Sequence, residues 1–199
     1  KNLKLLSKKE FEDSINFKLG KLNFLLTYHP QTLENDNEVE NLRKIFNSID
    51  KIKDVKLIIT KPNFDKSSNK IISEIDKYVK NNYKNSIAFR SLGQLRYLSA
   101  IKNVDLVIGN SSSGIIEATA LGKAVINIGD RQKGRALYQN IIHCNNDIED
   151  IRSGFSKLKK FSVELYDNPQ DGGKTSSKIV NIIRDVDLSN ILQKRFVDS

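Results

Sequence analysis

Short runs of β-branched and aromatic residues alternate along the chain with segments whose apolar positions recur every three or four residues. This is the pattern of a parallel sheet covered on both faces. Leu22 to Tyr28 (LNFLLTY) predicts a first strand, closed by His29-Pro30 and a polar turn. From Glu38, the positions Val39, Leu42, Ile45, Phe46 and Ile49 form one apolar helix stripe. Val55 to Thr60 is a second strand, stopped by Lys61-Pro62, and Ile71, Ile72, Ile75, Tyr78 and Val79 mark a second helix. Ser86 to Arg90 predicts a short strand and Leu95 to Lys102 a short helix. Val104 to Gly109 (VDLVIG) is almost continuously apolar, which places it at the sheet centre. A helix through Leu121, a strand Ala124 to Ile128, a sixth strand Asn140 to Cys144 and a helix Ile148 to Leu158 follow. The last helix is expected at Thr175 to Val186.

Strands alternating with helices in this order predict a doubly wound α/β domain with a parallel, Rossmann-like sheet. Such sheets bind ligands beyond the carboxyl ends of their strands. The polar motifs of this chain fall at those ends. Gly109-Asn110-Ser111-Ser112-Ser113-Gly114 lies where the central strand turns into a helix, and unpaired N–H groups and the helix dipole there suit a phosphate. Capping by Ser113 alone is the simpler alternative. Glu117 lies one turn further on, where a carboxylate can accept from a ribose diol or can merely favour the helix start. The loop Gly129-Asp130-Arg131-Gln132-Lys133-Gly134-Arg135 brings two guanidinium groups to the same rim, in a form suited to a diphosphate; an ordinary charged surface loop is the alternative. His29 follows the first strand and can donate to a leaving phosphate or serve the loop structurally. His143, on an apolar strand, is expected to be packed in the core.

Composition narrows the chemistry. In 199 residues, 33 Lys and Arg face 24 Asp and Glu, but the signs are interspersed and no basic run exceeds two residues, so neither nucleic acid nor membrane is an expected partner. No stretch has the roughly 18 apolar residues of a membrane span. With one cysteine (Cys144) and two histidines, an internal disulfide and a Cys/His zinc site are both excluded, and a cytoplasmic setting fits. Gly173-Lys174-Thr175 lacks the earlier glycine and strand of a P-loop, and no G-x-G-x-x-G fingerprint occurs. The chain contains no Met and about twenty residues precede the first strand, which is expected of a fragment.

Tyr28-His29-Pro30-Gln31-Thr32, Ser91-Leu92-Gly93, Gly109 through Glu117, Leu121-Gly122-Lys123 and Asn127 through Arg135 together resemble the carboxyl-terminal half of hydrolysing UDP-N-acetylglucosamine 2-epimerases, the sialic-acid-pathway branch most of all. The resemblance covers nearly the whole chain. It implies the second domain of a glycosyltransferase-B-like fold (residues 1–199, with 1–20 an interdomain linker or helix and 187–199 a tail) and an absent amino-terminal domain. It also implies a UDP or UDP-N-acetylhexosamine ligand, a homodimer of the intact enzyme, and no cofactor or metal. By the same resemblance, Ser111 and Ser112 hold the diphosphate, Glu117 the ribose and Arg131 a phosphate, with Arg135 its neighbour; Asn110, Ser113 and Gly114 are expected among the nucleotide-binding residues of the same segment. Tyr97 packs near the uracil, Leu92 reads the base edge through its backbone, and His29 is needed for catalysis. One departure stands out, since Asn168-Pro169 is followed here by Gln170-Asp171-Gly172-Gly173 where the family often has Tyr-Gly-Asp-Gly.

The implied reaction is anti elimination of UDP from UDP-GlcNAc to a 2-acetamidoglucal, then syn addition of water with inversion at C2. The acidic residues for the proton steps belong to the absent domain, so these residues alone are expected to bind UDP without turnover. The alternatives are the nucleotide-sugar domain of a glycosyltransferase with the same architecture, and a non-catalytic binding module.

Overall fold

The computed structural model describes residues 3–30, 37–63, 68–135, 138–158 and 175–186. Gln31 and Thr32, the 168–173 loop and the 187–199 tail lie outside the described residues. The chain divides into two compact units, Asn2–Tyr166 and a second comprising Lys1 and Asp167–Ser199. In the second unit, a helix spans Thr175–Asp185 and exposes Ile179, Val180, Ile182 and Ile183.

In the first unit, β1 (Leu22–Thr27), β2 (Val55–Thr60), β3 (Ser86–Phe89), β4 (Leu106–Gly109), β5 (Ala124–Ile128) and β6 (Ile141–Cys144) form one parallel sheet in the order β3-β2-β1-β4-β5-β6. This is the expected doubly wound arrangement, with its topological switch point between β1 and β4. Side chains alternate between the faces. Phe24 and Leu26, Leu57 and Ile59, and Leu106 and Ile108 enter one core with α2 (Glu38–Ile49), α3 (Asn69–Asn81) and α5 (Ile148–Leu158). Leu25, Ile58 and Val107 enter the opposite core with α1 (Lys8–Ile15) and α4 (Gly93–Asn103). β1 and β4 are therefore buried on both faces, which the apolar run through Gly109 predicts for β4.

Within the stretch 1–20, α1 starts at a capping box, in which the Ser7 side chain accepts from the Glu10 N–H while Glu10 accepts from the Ser7 N–H. Its buried Phe11 and Ile15 belong to the second core, and the Leu6 N–H donates to Ser99 Oγ on α4 at 3.0 Å. On the other face, the rings of Phe46 and Tyr78 stack at 3.8 Å and Arg43 pairs with Glu74 at 2.8 Å, which joins α2 to α3.

His143 is not in the core. It lies on β6, an edge strand of the sheet, with a side chain 37% exposed, because among the described residues no further strand pairs beyond β6. Its Nδ1 faces the Asn127 amide at 3.0 Å across the β5–β6 pairing. No helix among the described residues is long and apolar enough to cross a membrane.

Candidate functional site

The carboxyl ends of β1 to β4 open onto one cleft of about 480 Å³ at the switch point. β1 contributes Thr27 and His29, β2 contributes Thr60 and Lys61, and β3 leads into Arg90-Ser91-Leu92-Gly93; β4 leads to Ser111 and Ser113. Tyr97 and Leu98 on α4 and Glu117 complete the walls. His29, Leu92, Tyr97, Ser111, Ser113 and Glu117 are thus brought together, whereas Asn110, Ser112, Gly114, Arg131 and Arg135 are not among the residues that line this cleft.

Gly109 makes the junction. Its φ is +129°, and a Cβ there would fall 2.0 Å from the Thr27 carbonyl oxygen. Only glycine lets β4 turn so close to β1. The chain then enters a helical run over 112–120 whose middle, Gly114–Ala118, has π-helical hydrogen bonding. Such widened turns recur at functional sites, where they re-aim side chains. Gly114 is buried, and a Cβ on it would approach Val125 to 3.2 Å, so its small size seats this turn on β5. Ser112 is half-buried at the first helical position.

Glu117 projects from this turn, and its Oε2 is buried without a hydrogen bond from any described residue. A buried acceptor with no donor is costly.

Asn110 has a different position from the serines beside it. It is fully buried, and its side chain clamps the backbone of His29: the His29 N–H donates to Oδ1 and Nδ2 donates to the His29 carbonyl, both at 2.8 Å. Its own carbonyl accepts from Arg131 Nη1 at 3.0 Å and from Gln132 Nε2 at 2.8 Å. One residue therefore ties the end of β1 and the arginine loop to the end of β4. The loop is a 3₁₀ turn, Asp130–Gln132, in which Arg131 is exposed while Gln132 is buried. Arg135 is exposed just beyond it.

At the other end of the cleft, the Ser91-Leu92-Gly93 turn is held by Arg96 Nε donating to the Leu92 carbonyl at 2.9 Å and by the Gly93 N–H donating to Ser91 Oγ at 3.1 Å. Gly93 has φ +63°, which favours glycine at this turn. Lys61 is mostly buried and pairs with Asp76 at 2.5 Å. Thr27 and Thr60, opposite one another in the β1–β2 register, join their hydroxyls at 2.5 Å. The Tyr97 hydroxyl meets Ser113 Oγ at 2.5 Å and Thr27 Oγ1 at 3.3 Å, and burial raises its pKa above the usual phenol value, so it keeps its proton. Thr27, Thr60, Lys61, Arg90 and Gln132 were not singled out from the sequence. The two threonines alternate with apolar strand residues, and nothing in that pattern reveals that they share a register.

The cleft thus lies at the switch point of a parallel sheet, with a small-residue helix start and an orphaned carboxylate oxygen on its walls. The family model for UDP-N-acetylglucosamine 2-epimerase matches residues 2–184. The chain belongs to this family. It is 39% identical over 203 aligned positions to the GDP/UDP-N,N'-diacetylbacillosamine 2-epimerase (hydrolyzing) of Campylobacter jejuni, covering 100% of this chain and 52% of that one. The chain thus spans about half the length of that relative. The UDP-GlcNAc 2-epimerase of Methanocaldococcus jannaschii, solved with UDP-GlcNAc and UDP, superposes with a TM-score of 0.68 at 17% identity over 88% of this chain and 48% of that one. The carboxyl-terminal domain of a group 1 glycosyltransferase (LpcC) from Francisella tularensis superposes at 0.55 and 14% identity, over 88% of this chain and 94% of that domain. The last two likenesses concern fold. They show that the same doubly wound fold occurs within an epimerase chain of about twice this length and in a carboxyl-terminal domain of a glycosyltransferase.

Proposed function

We propose that this chain is the UDP-binding half of a hydrolysing UDP-N-acetylhexosamine 2-epimerase. The observation that carries the reading is the buried, undonated Oε2 of Glu117, six residues beyond Ser111 on a cleft wall. In this reading it accepts from the ribose diol, while Ser111 to Gly114 and Arg131 neutralise the diphosphate. The Leu92 turn takes the base edge, with the Tyr97 ring packed near the uracil. His29, with its backbone fixed by Asn110, lies at the leaving phosphate. Fixed donors aimed at a leaving diphosphate stabilise the elimination transition state without reorganising, which is the electrostatic contribution expected of this half. The acidic groups for proton transfer at C2 and for hydration of the glucal intermediate belong to the absent amino-terminal domain, so the isolated chain binds UDP and does not turn over UDP-GlcNAc. The intact enzyme is a cytoplasmic homodimer in this proposal.

Calorimetric titration with UDP, UMP, GDP and ADP tests the assignment. UDP binds best if it is right, and preference for ADP refutes it. The name of the Campylobacter relative admits GDP as well as UDP, and its sugar is a diacetylbacillosamine. That favours a second reading, in which the same site serves a nucleotide-linked N,N'-diacetylated sugar. Equal GDP and UDP affinities, with release of a diacetylated product by the full-length enzyme, would establish it. Release of ManNAc from UDP-GlcNAc at an enzymatic rate by these 199 residues alone would overturn the assignment of the proton chemistry to the other domain.

A further inference from the structure

Five hydroxyls line up across the cleft: Thr60, Thr27, Tyr97, Ser113 and Ser111, with successive O···O distances of 2.5, 3.3, 2.5 and 3.0 Å. Each carries a single proton, so fixing one direction fixes the rest. Ser113 Oγ donates to Ser111 Oγ, and the Ser113 N–H donates to the same oxygen at 3.4 Å. The Ser113 proton being spent, the short contact with Tyr97 requires the phenol to donate to Ser113. Tyr97 then accepts from Thr27, and Thr27 from Thr60. The chain is polarised in one direction along its length. At its end, Ser111 Oγ accepts twice, which occupies both lone pairs and leaves its own proton to point away, on a side chain that lines the cleft.

From this polarity we infer that the Tyr97 hydroxyl is a positioning residue for the diphosphate, holding Ser113 and Ser111 so that Ser111 meets the ligand only as a donor. The inference rests on the UDP reading above and adds its selectivity device. A donor-only hydroxyl welcomes a phosphate oxygen and offers nothing to a ligand hydroxyl that needs an acceptor. Burial, with Glu117 nearby, keeps the phenol protonated, as the relay requires. Hydrogen bonds in series polarise one another, so the terminal donor is stronger than an isolated serine. The 3.3 Å link between Tyr97 and Thr27 is the longest, and the two threonines therefore contribute less than Tyr97.

The test is titration of the chain and its Tyr97→Phe variant with UDP, uridine and inorganic pyrophosphate. Phenylalanine keeps the ring and removes only the hydroxyl. Loss of one hydrogen bond predicts UDP and pyrophosphate affinities lower by about three- to tenfold, with uridine unchanged. Thr27→Val gives a smaller loss with the same selectivity, which covers the case of a poorly folded Tyr97 variant. Equal weakening of UDP and uridine would mean that Tyr97 acts through packing and would overturn the inference, as would unchanged UDP and pyrophosphate binding. A parent chain that binds pyrophosphate but not UDP would sink the nucleotide reading alone, and the pyrophosphate arm would still decide the relay.

Discussion

Replacing Asn110 separates the cleft's framework from its ligand chemistry. The side chain is fully buried and makes two 2.8 Å hydrogen bonds to the backbone of His29. Asn110→Ala removes both and strands the His29 N–H and carbonyl beside a small void. At about 1 kcal/mol net per bond, with a further contribution from the groups left unpaired, the loss of stability comes to about 2–4 kcal/mol. For a urea slope of about 2 kcal/mol per molar, the unfolding midpoint falls by about 1–2 M.

Asn110→Asp is the sharper probe. A carboxylate still accepts from the His29 N–H but sets a second oxygen against the His29 carbonyl, where Nδ2 now donates. Burial and the facing carbonyl raise the folded pKa of the introduced acid above its unfolded value. Its protonated form restores the missing donor. By linkage, the Asp variant gains stability relative to Asn110→Ala as the pH falls through the raised folded value, and loses that advantage above it. Urea titrations of the two variants between about pH 4 and pH 8 measure the difference. A midpoint loss in the Ala variant worth under about 1 kcal/mol, or an Asp variant that parallels Ala at every pH, would refute the clamp.

Gly109→Ala, with its Cβ 2.0 Å from the Thr27 carbonyl oxygen at φ +129°, must push β1 and β4 apart; a cost above about 3 kcal/mol is expected, and a parental melting temperature would contradict it. The parent should prefer UDP to 2'-deoxy-UDP about tenfold, and Glu117→Gln should shrink that preference when both are titrated; an unaltered ratio removes Glu117 from the ribose. Arg131→Ala should weaken UDP binding by about 1–3 kcal/mol, with unchanged affinity counting against a phosphate contact. Hydrogen bonding from Arg43 holds the Glu74 carboxyl below its ordinary value near 4.5. That stability is complete above the unfolded value and is lost as the pH falls through the lower folded one, so Glu74→Gln should flatten the acid limb of the stability profile.

How much of this was legible beforehand depends on the range of the signal. β2 and β5 could be bounded from sequence because an apolar run closed by Lys61-Pro62 or Gly129 is a local pattern, and the alternation of Phe24, Leu25 and Leu26 between two cores follows from the pleat alone. α1 offered less: two buried apolar residues in an eight-residue charged segment make a weak stripe, although Ser7 and Glu10 spell a capping box. His143 was misjudged because an apolar strand looks the same at a sheet's edge as at its centre until the order of strands is known.

The site divides along the same line. Glycines, serines and arginines at strand ends announce a polar rim in one dimension, since each acts through its own backbone or charge. Asn110 does not, because the same residue type in the same loop can face a ligand or turn inward, and what turns it inward is a backbone 81 positions away. Thr27 and Thr60 are 33 residues apart and become a pair only when β1 and β2 align in parallel. Their hydroxyls then lie on the ligand side of a sheet end, where alternation would assign them nothing but a face. Motif reading therefore recovers the groups that could touch a diphosphate, while those that orient them are recoverable only from the crossovers that bring distant strands side by side. Substitutions at the orienting positions should accordingly shift affinity in small, graded steps, and those at the rim in larger ones.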